Sequence, residues 1–196
     1  MMNLMKKATT DPLLTSSEAA TLLDCHESTI KRFCDSGLLS FQRTPGGHRR
    51  IPLDSLLAFA RESGQPLTLP LLDMGEHAAT FWHAWQAFRA SETTLLVDLM
   101  EQWLLSHALD LIAPTMRLLA QQEQIELADV FDDLIQPLMA RIGDRWAAGR
   151  LTVAQEHLYS HVIEQGLFIL AEARRRLGAA YESVVRKRAL VACAEG

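Results

Sequence analysis

The stretch Thr44-Pro45-Gly46-Gly47-His48-Arg49-Arg50 carries the densest chemistry in this 196-residue chain. Two adjacent glycines permit the positive φ of a tight turn and let the backbone approach a ligand closely. A His and two Arg come immediately after them. Cationic side chains at a hairpin tip meet phosphates, the contacts that position a protein on a nucleic-acid duplex. Just upstream, Ser28, Thr29, Lys31 and Arg32 fall on or near the outer face of a short helix. Ile30 and Phe33 lie on the face expected to bury against the helix before it. In a helix-turn-helix the second helix enters the major groove. There Arg reads guanine, and Lys and Ser/Thr hold phosphates. Arg43, Thr44, His48, Arg49 and Arg50 then form a basic wing. The partner implied is double-stranded DNA. Solvated arginines on a protein-interaction module are the bland alternative, but they leave the Gly-Gly tip and the preceding helix pair without a reason.

The elements that must hold these residues are marked by their boundary signals. Thr15-Ser16-Ser17-Glu18 fits a capping box. It opens a helix running to about Leu23, with Ala19, Leu22 and Leu23 on one face. Asp24-Cys25-His26 is the turn, and a second helix over 27–36 stops at Gly37. Residues 39–43 and 49–51 read as two strands around the turn. A third helix over 53–63 ends at Gly64, and two prolines mark the next segment as a linker. From 76 to 177 the pattern is helical, with four main helices near 76–89, 92–121, 127–147 and 152–177. Pro114 and Pro137 are placed to kink or split them. The apolar stripe is wide, as a bundle requires. Residues 189–194 come after the basic cluster Arg186-Lys187-Arg188 and read as a first buried strand of a parallel sheet. The expected fold class is mainly α. A winged helix-turn-helix head occupies 1–64, a linker 65–75 and a four-helix bundle 76–180. Residues 181–196 start a further domain as a lone terminal strand.

Composition narrows the classes. Almost half of the chain is apolar (48%), enough for a sizeable core. The net charge is −5, divided as +1 over residues 1–64 and −6 over 65–196. The acidic body would repel DNA and leaves the N-terminal module as the contact face. Cys25, Cys34 and Cys193 form no CxxC pair, so they read as reduced thiols of a cytosolic protein. No apolar run is long enough for a membrane span, and no signal peptide is apparent. No Ser/His/Asp triad, paired catalytic carboxylates or phosphate loop argues for an enzyme.

A second constellation lies in the helical body: Pro137, Gly143, Trp146, Gly149, Glu156 and His157. Trp146 ends one helix, Gly149 caps it, and Thr152-Val153-Ala154-Gln155 is a capping box for the next. Glu156 and His157 then fall in its first turns, expected close to Trp146. A Trp beside an acid and a His offers a flat apolar wall with two polar handles, suited to a large planar or adenosyl-like ligand. Core packing of the Trp is the bland alternative. His157, His161 and Glu164 share a helix face, but no distant ligand recommends itself, so no metal site is expected.

The head resembles the winged helix-turn-helix of the MerR family of bacterial regulators. Thr29-Ile30-Lys31-Arg32-Phe33 matches the family's Thr-Ile-Arg-Arg-Trp, and Thr44 to Ile51 matches its Thr-x-Gly-Gly-His-Arg-Arg-Tyr wing. His26 stands where the family often has a Ser N-cap, which weakens the cap. Trp146, nine residues, then Glu156-His157 resembles the signature of cobalamin-binding photoreceptor repressors of the CarH type. This resemblance implies a bundle that caps the upper face of adenosylcobalamin, with Trp146 and Glu156 against the adenosyl group and His157 nearby. It also implies a homo-oligomer on a palindromic operator, and a Rossmann-like domain after the bundle. The family's Asp-x-His-x-x-Gly motif, whose His ligates cobalt from below, does not occur in these 196 residues, so cobalamin binding by them alone is expected to be weak. Some members carry a His after the Trp that takes up cobalt after photolysis; here that position is Ala147. The reading is a DNA-binding transcriptional repressor of the adenosylcobalamin-dependent, light-sensing type. Two alternatives remain: a corrinoid methyl-carrier enzyme fragment, and a regulator whose bundle only mediates oligomerisation.

Overall fold

A computed structural model describes residues 11–122 and 125–179. The expected strand at 189–194, the Arg186-Lys187-Arg188 cluster and Cys193 lie outside the described residues.

In the head, Thr15 Oγ1 accepts the Glu18 N–H at 3.1 Å while the Thr15 N–H donates to Glu18 Oε2 at 2.7 Å. Two orphan donors are thus satisfied reciprocally, and helix α1 (Ser16–Leu22) starts there. Helix α2 (Glu27–Asp35) begins after a turn in which Asp24 takes φ 47°. His26 does cap α2: its Nδ1 accepts the Ser28 N–H at 3.2 Å, so an imidazole takes the place of the expected serine hydroxyl. Strands β2 (Gln42–Arg43) and β3 (Arg49–Pro52) form the wing hairpin, shorter on its first side than the sequence suggested. A third strand, β1 (Leu13–Leu14), went unforeseen because two residues carry no alternation to read. The sheet order is β1-β3-β2, with Leu14 opposite Ile51 and Arg43 opposite Arg49. Helix α3 (Leu53–Ser63) ends at Gly64, as expected.

Ala19, Leu22, Leu23, Ile30, Ile51 and Leu56 make the head's core. Phe33 is only half-buried; its ring packs on Phe59 of α3, with centroids 4.9 Å apart, rather than deep against α1. The segment after Gly64 is packed onto the head. Thr68 N–H donates to Leu22 O at 2.9 Å, and the Gln65 amide donates to Leu23 O at 3.1 Å. These bonds satisfy carbonyls at the C-terminal end of α1 that have no partner within the helix. Leu69, Leu71 and Met74 are buried in the same segment.

The helical body contains α4 (Ala78–Arg89), α5 (Thr94–Leu105), α6 (Ile112–Gln121), α7 (Leu127–Val130), α8 (Gln136–Ala147) and α9 (Val153–Ala179). The single helix expected over 92–121 is two helices. The chain breaks after Ser106, with His107 at φ 61° and a 3-10 turn over Leu109–Leu111. Pro114 then falls in the first turn of α6, where a missing N–H costs nothing. Pro137 perturbs the helix expected over 127–147 instead of ending it. Its ring and absent N–H cannot be met by a regular turn, and Phe131–Ile135 widens into a π-helical turn before α8 resumes.

Phe81, Trp85, Phe88 and Trp103 stack between α4 and α5, with centroids 5.7–6.3 Å apart. Arg141 of α8 reaches Asp98 at 2.5 Å and Glu101 at 3.0 Å on α5, and Arg145 reaches Glu101 at 2.6 Å. α9 packs on α6 at Gly166, where a Cβ would meet Met116 Cγ at 3.0 Å and Ile112 Cγ2 at 3.1 Å. Among the described residues no helix is long and apolar enough to cross a membrane.

Candidate functional site

The α2 face carries the residues expected to read DNA. Ser28, Lys31 and Arg32 are exposed and Thr29 is half-buried. Each is already oriented by a neighbour. Ser28 Oγ lies 2.9 Å from His26 Nδ1, and Arg32 Nη2 donates to Thr29 Oγ1 at 3.2 Å. Lys31 pairs with Glu27 at 2.8 Å, and that bond holds the Glu27 carboxyl below its ordinary value. Both partners are well exposed, so the pair orders side chains more than it stabilises the fold.

The wing turn is closed by its own backbone. Gly47 N–H donates to Thr44 O at 2.8 Å, and Thr44 N–H donates to His48 O at 2.9 Å. The Thr44 hydroxyl accepts the His48 N–H at 3.1 Å, so this side chain shapes the turn. Only Gly47 of the two glycines has a positive φ (80°); Gly46 does not need one. His48 stands exposed at the tip, and Arg43 is exposed with Nη1 donating to Gly47 O at 3.2 Å.

The three wing arginines do not share a face. Side chains alternate along a strand, so Arg49 lies on the side of buried Ile51, and Arg43, its cross-strand partner, lies there too. Phe41 is two residues from Arg43 on that same side. Its ring sits under both guanidinium groups, 5.5 Å from Arg43 and 5.3 Å from Arg49. Arg49 Nη2 also meets Asp35 Oδ1 at 2.6 Å. Arg50 points to the opposite face, its Nη1 donating to the Arg49 carbonyl at 3.1 Å. Asp35 and Phe41 were missed from sequence; the signal was present in the two-residue spacing of Arg49 from Ile51.

In the bundle, Trp146 closes the row Leu138-Ile142-Trp146 along α8. Leu138 and Ile142 are fully buried, while Trp146 keeps 49% of its surface exposed. Gly149 takes φ 67° after the helix, and Thr152 and Gln155 form the expected capping box, with Gln155 N–H to Thr152 Oγ1 at 3.2 Å. Glu156 lies in the first turns of α9. Its carboxylate accepts the Ser160 hydroxyl at 2.8 Å and lies 2.6 Å from His157 Nδ1. Those two bonds, Ser160 first, hold the Glu156 carboxyl below its ordinary value. His157 is exposed, and His161 and Glu164 beyond it are 3.6 Å apart. Among the described residues no group of three His, Cys, Asp or Glu side chains is gathered to hold a metal ion.

Residues 13–64 match the helix-turn-helix domain family and residues 86–171 match the B12 binding domain family. The chain is 46% identical over 43 residues, 22% of its length, to the HTH-type transcriptional repressor CarH of Myxococcus xanthus. It is 42% identical over 50 residues, 26% of its length, to the putative antitoxin VapB50 of Mycobacterium tuberculosis. The chain spans 14% and 38% of the lengths of these curated relatives. Matches to a helix-turn-helix domain family and to a B12 binding domain family thus fall on successive segments of one polypeptide.

Proposed function

We propose that the chain belongs to a DNA-binding transcriptional repressor that senses adenosylcobalamin and responds to light. The observation that carries this reading is the pairing of an exposed basic helix and wing with a B12-binding bundle in which Trp146 stays half exposed on a buried row. The head occupies 1–64 and the bundle 76–180, joined by 65–75. Ser28, Thr29, Lys31 and Arg32 meet the major groove. Arg43, His48 and Arg50 lie along the neighbouring backbone.

Trp146, Glu156 and His157 fit an adenosyl group. The indole gives a flat apolar face, and the carboxylate, held ionised by Ser160 and His157, gives an acceptor for ribose hydroxyls. Bound there, the cofactor supplies a light-labile cobalt–carbon bond. The protein's part is to cover the adenosyl group, keep water from it, and convert its presence into an oligomer with several heads, so that multivalency tightens operator binding. The head and the partial similarity to a repressor favour a regulator over a corrinoid methyl-carrier enzyme.

The test is retention of duplex DNA by the protein in its full genomic length, with and without adenosylcobalamin, in darkness and after illumination. Binding that rises with the cofactor and falls on illumination supports the proposal. Binding indifferent to the cofactor leaves the regulator whose bundle only assembles. Absence of duplex binding sinks the regulator reading. A Trp146→Ala variant that binds the cofactor as wild type does would remove Trp146 from the site.

A further inference from the structure

Arg49 is mostly withdrawn from solvent, unlike Lys31, Arg32 and Arg43. Its side chain is 16% exposed, turned to the strand face that buries Ile51. Its Nε is buried with no hydrogen-bond partner, so the group has given up hydration to sit where it does. In return it gains Asp35 at 2.6 Å and the Phe41 ring at 5.3 Å.

Asp35 is equally out of place by itself. It is the last residue of α2, where an acid opposes the helix macrodipole. It also stands beside a surface meant for phosphates, which it repels. Its side chain is 60% exposed, so no burial requirement puts it there. Both costs are offset by one contact, the bond across to the wing.

We propose that Arg49 is a positioning residue and not a phosphate contact: through Asp35 it fixes the wing at one angle to the recognition helix α2. The two DNA-contacting elements are then held as one rigid unit whose geometry exists before DNA arrives, which lowers the ordering cost of binding. Arg43, opposite Arg49 on the same Phe41 ring, is held at the edge of that joint and forms no ion pair among the described residues. The proposal rests on the DNA-binding reading above.

The experiment measures affinity and its salt dependence on a duplex selected from a randomised pool by the wild-type chain. The variants are Asp35→Ala, Arg49→Ala and the double. Asp35→Ala removes an exposed acid from a helix end, so it should fold, and a thermal melt checks this. A positioning role requires each single variant to bind on the order of tenfold more weakly. It also requires the double variant to bind no more weakly than the worse single, and all three to keep the wild-type salt slope. A phosphate contact gives the opposite signs. Asp35→Ala, by removing repulsion and freeing Arg49, then binds more tightly, and Arg49→Ala lowers the slope by about 0.9. Those outcomes overturn the proposal alone. A wild-type chain that retains no duplex overturns it together with the DNA-binding function.

Discussion

Glu18 joins the head to the bundle. One carboxylate oxygen accepts the Thr15 N–H at 2.7 Å within the capping box of α1, and the other accepts the Gln86 amide of α4 at 3.0 Å. The acid that starts the first helix of the helix-turn-helix is also the point where the first long helix of the body is tied on. Gln86→Ala should leave the capping box intact and cost about 1 kcal/mol, the worth of one such bond. It should also quicken protease cleavage within 65–74, since a bond that holds α4 against the head beside that segment is lost. Limited proteolysis read out by mass spectrometry measures this directly, and an unchanged rate would remove Gln86 from the joint.

On the wing, the prediction concerns charge. Arg50 points away from Phe41 and forms no ion pair among the described residues, so its charge is free to displace a counterion. Arg50→Ala should lower the magnitude of the salt slope of duplex binding by about 0.9. A slope equal to wild type would mean that Arg50 faces solvent in the complex.

Packing gives a prediction at Gly166, where α9 crosses α6. A methyl group there presses Met116 and Ile112 by a few tenths of an ångström, while Ala gains about 1 kcal/mol of helix propensity over Gly. The two effects are similar in size, so Gly166→Ala should fold with near wild-type stability. Gly166→Val adds bulk with no propensity gain of that size and should destabilise by about 1–3 kcal/mol. Urea unfolding measures both, and equal midpoints for wild type and the Val variant would show that the crossing has room to spare.

Acid titration should single out Glu172. Arg175 first and Arg176 second bond its carboxylate, lowering it from 4.5 to about 2. The unfolded chain binds the proton more readily, so this contribution to stability is complete above 4.5 and lost as pH falls towards about 2. Glu172 is partly exposed and its two arginine partners are well exposed, so water screens the pair and the effect is small. The gap in melting temperature between wild type and Glu172→Gln should therefore be open above that window and closed at its acid end. A gap that stays constant would show that the bonds are not kept in solution.

The features legible in the sequence are local ones. Thr15 with Glu18, Thr152 with Gln155, and the glycines after α2 and α3 each announce a helix end through chemistry confined to a few neighbours. The break after Ser106 carries no glycine to announce it: His107 takes the positive φ of a helix-ending C′ residue, with its N–H donating to Leu104 O at 3.2 Å and the Ala108 N–H to Trp103 O at 2.9 Å. The site shows the same division. The candidate residues could be named because types and spacing are local, but the roles of the wing arginines depend on which strand face each occupies. That depends on pairing register, and on Asp35 arriving from a different element. Counting positively charged residues treats Arg49 and Arg50 alike, although one is anchored within the protein and the other faces outward.

The widened turn at Phe131–Ile135 has a consequence for aim. A regular helix turns about 100° per residue, and a π-helical turn takes in an extra residue. Everything beyond it is therefore rotated by about one residue's worth relative to an uninterrupted helix. Leu138 and Ile142 reach the core, and Trp146 reaches the open end of their row, only in that rotated phase. Pro137 thus acts like an indexing pin on a screw: from the start of α8 it sets the compass bearing of the tryptophan nine residues further on.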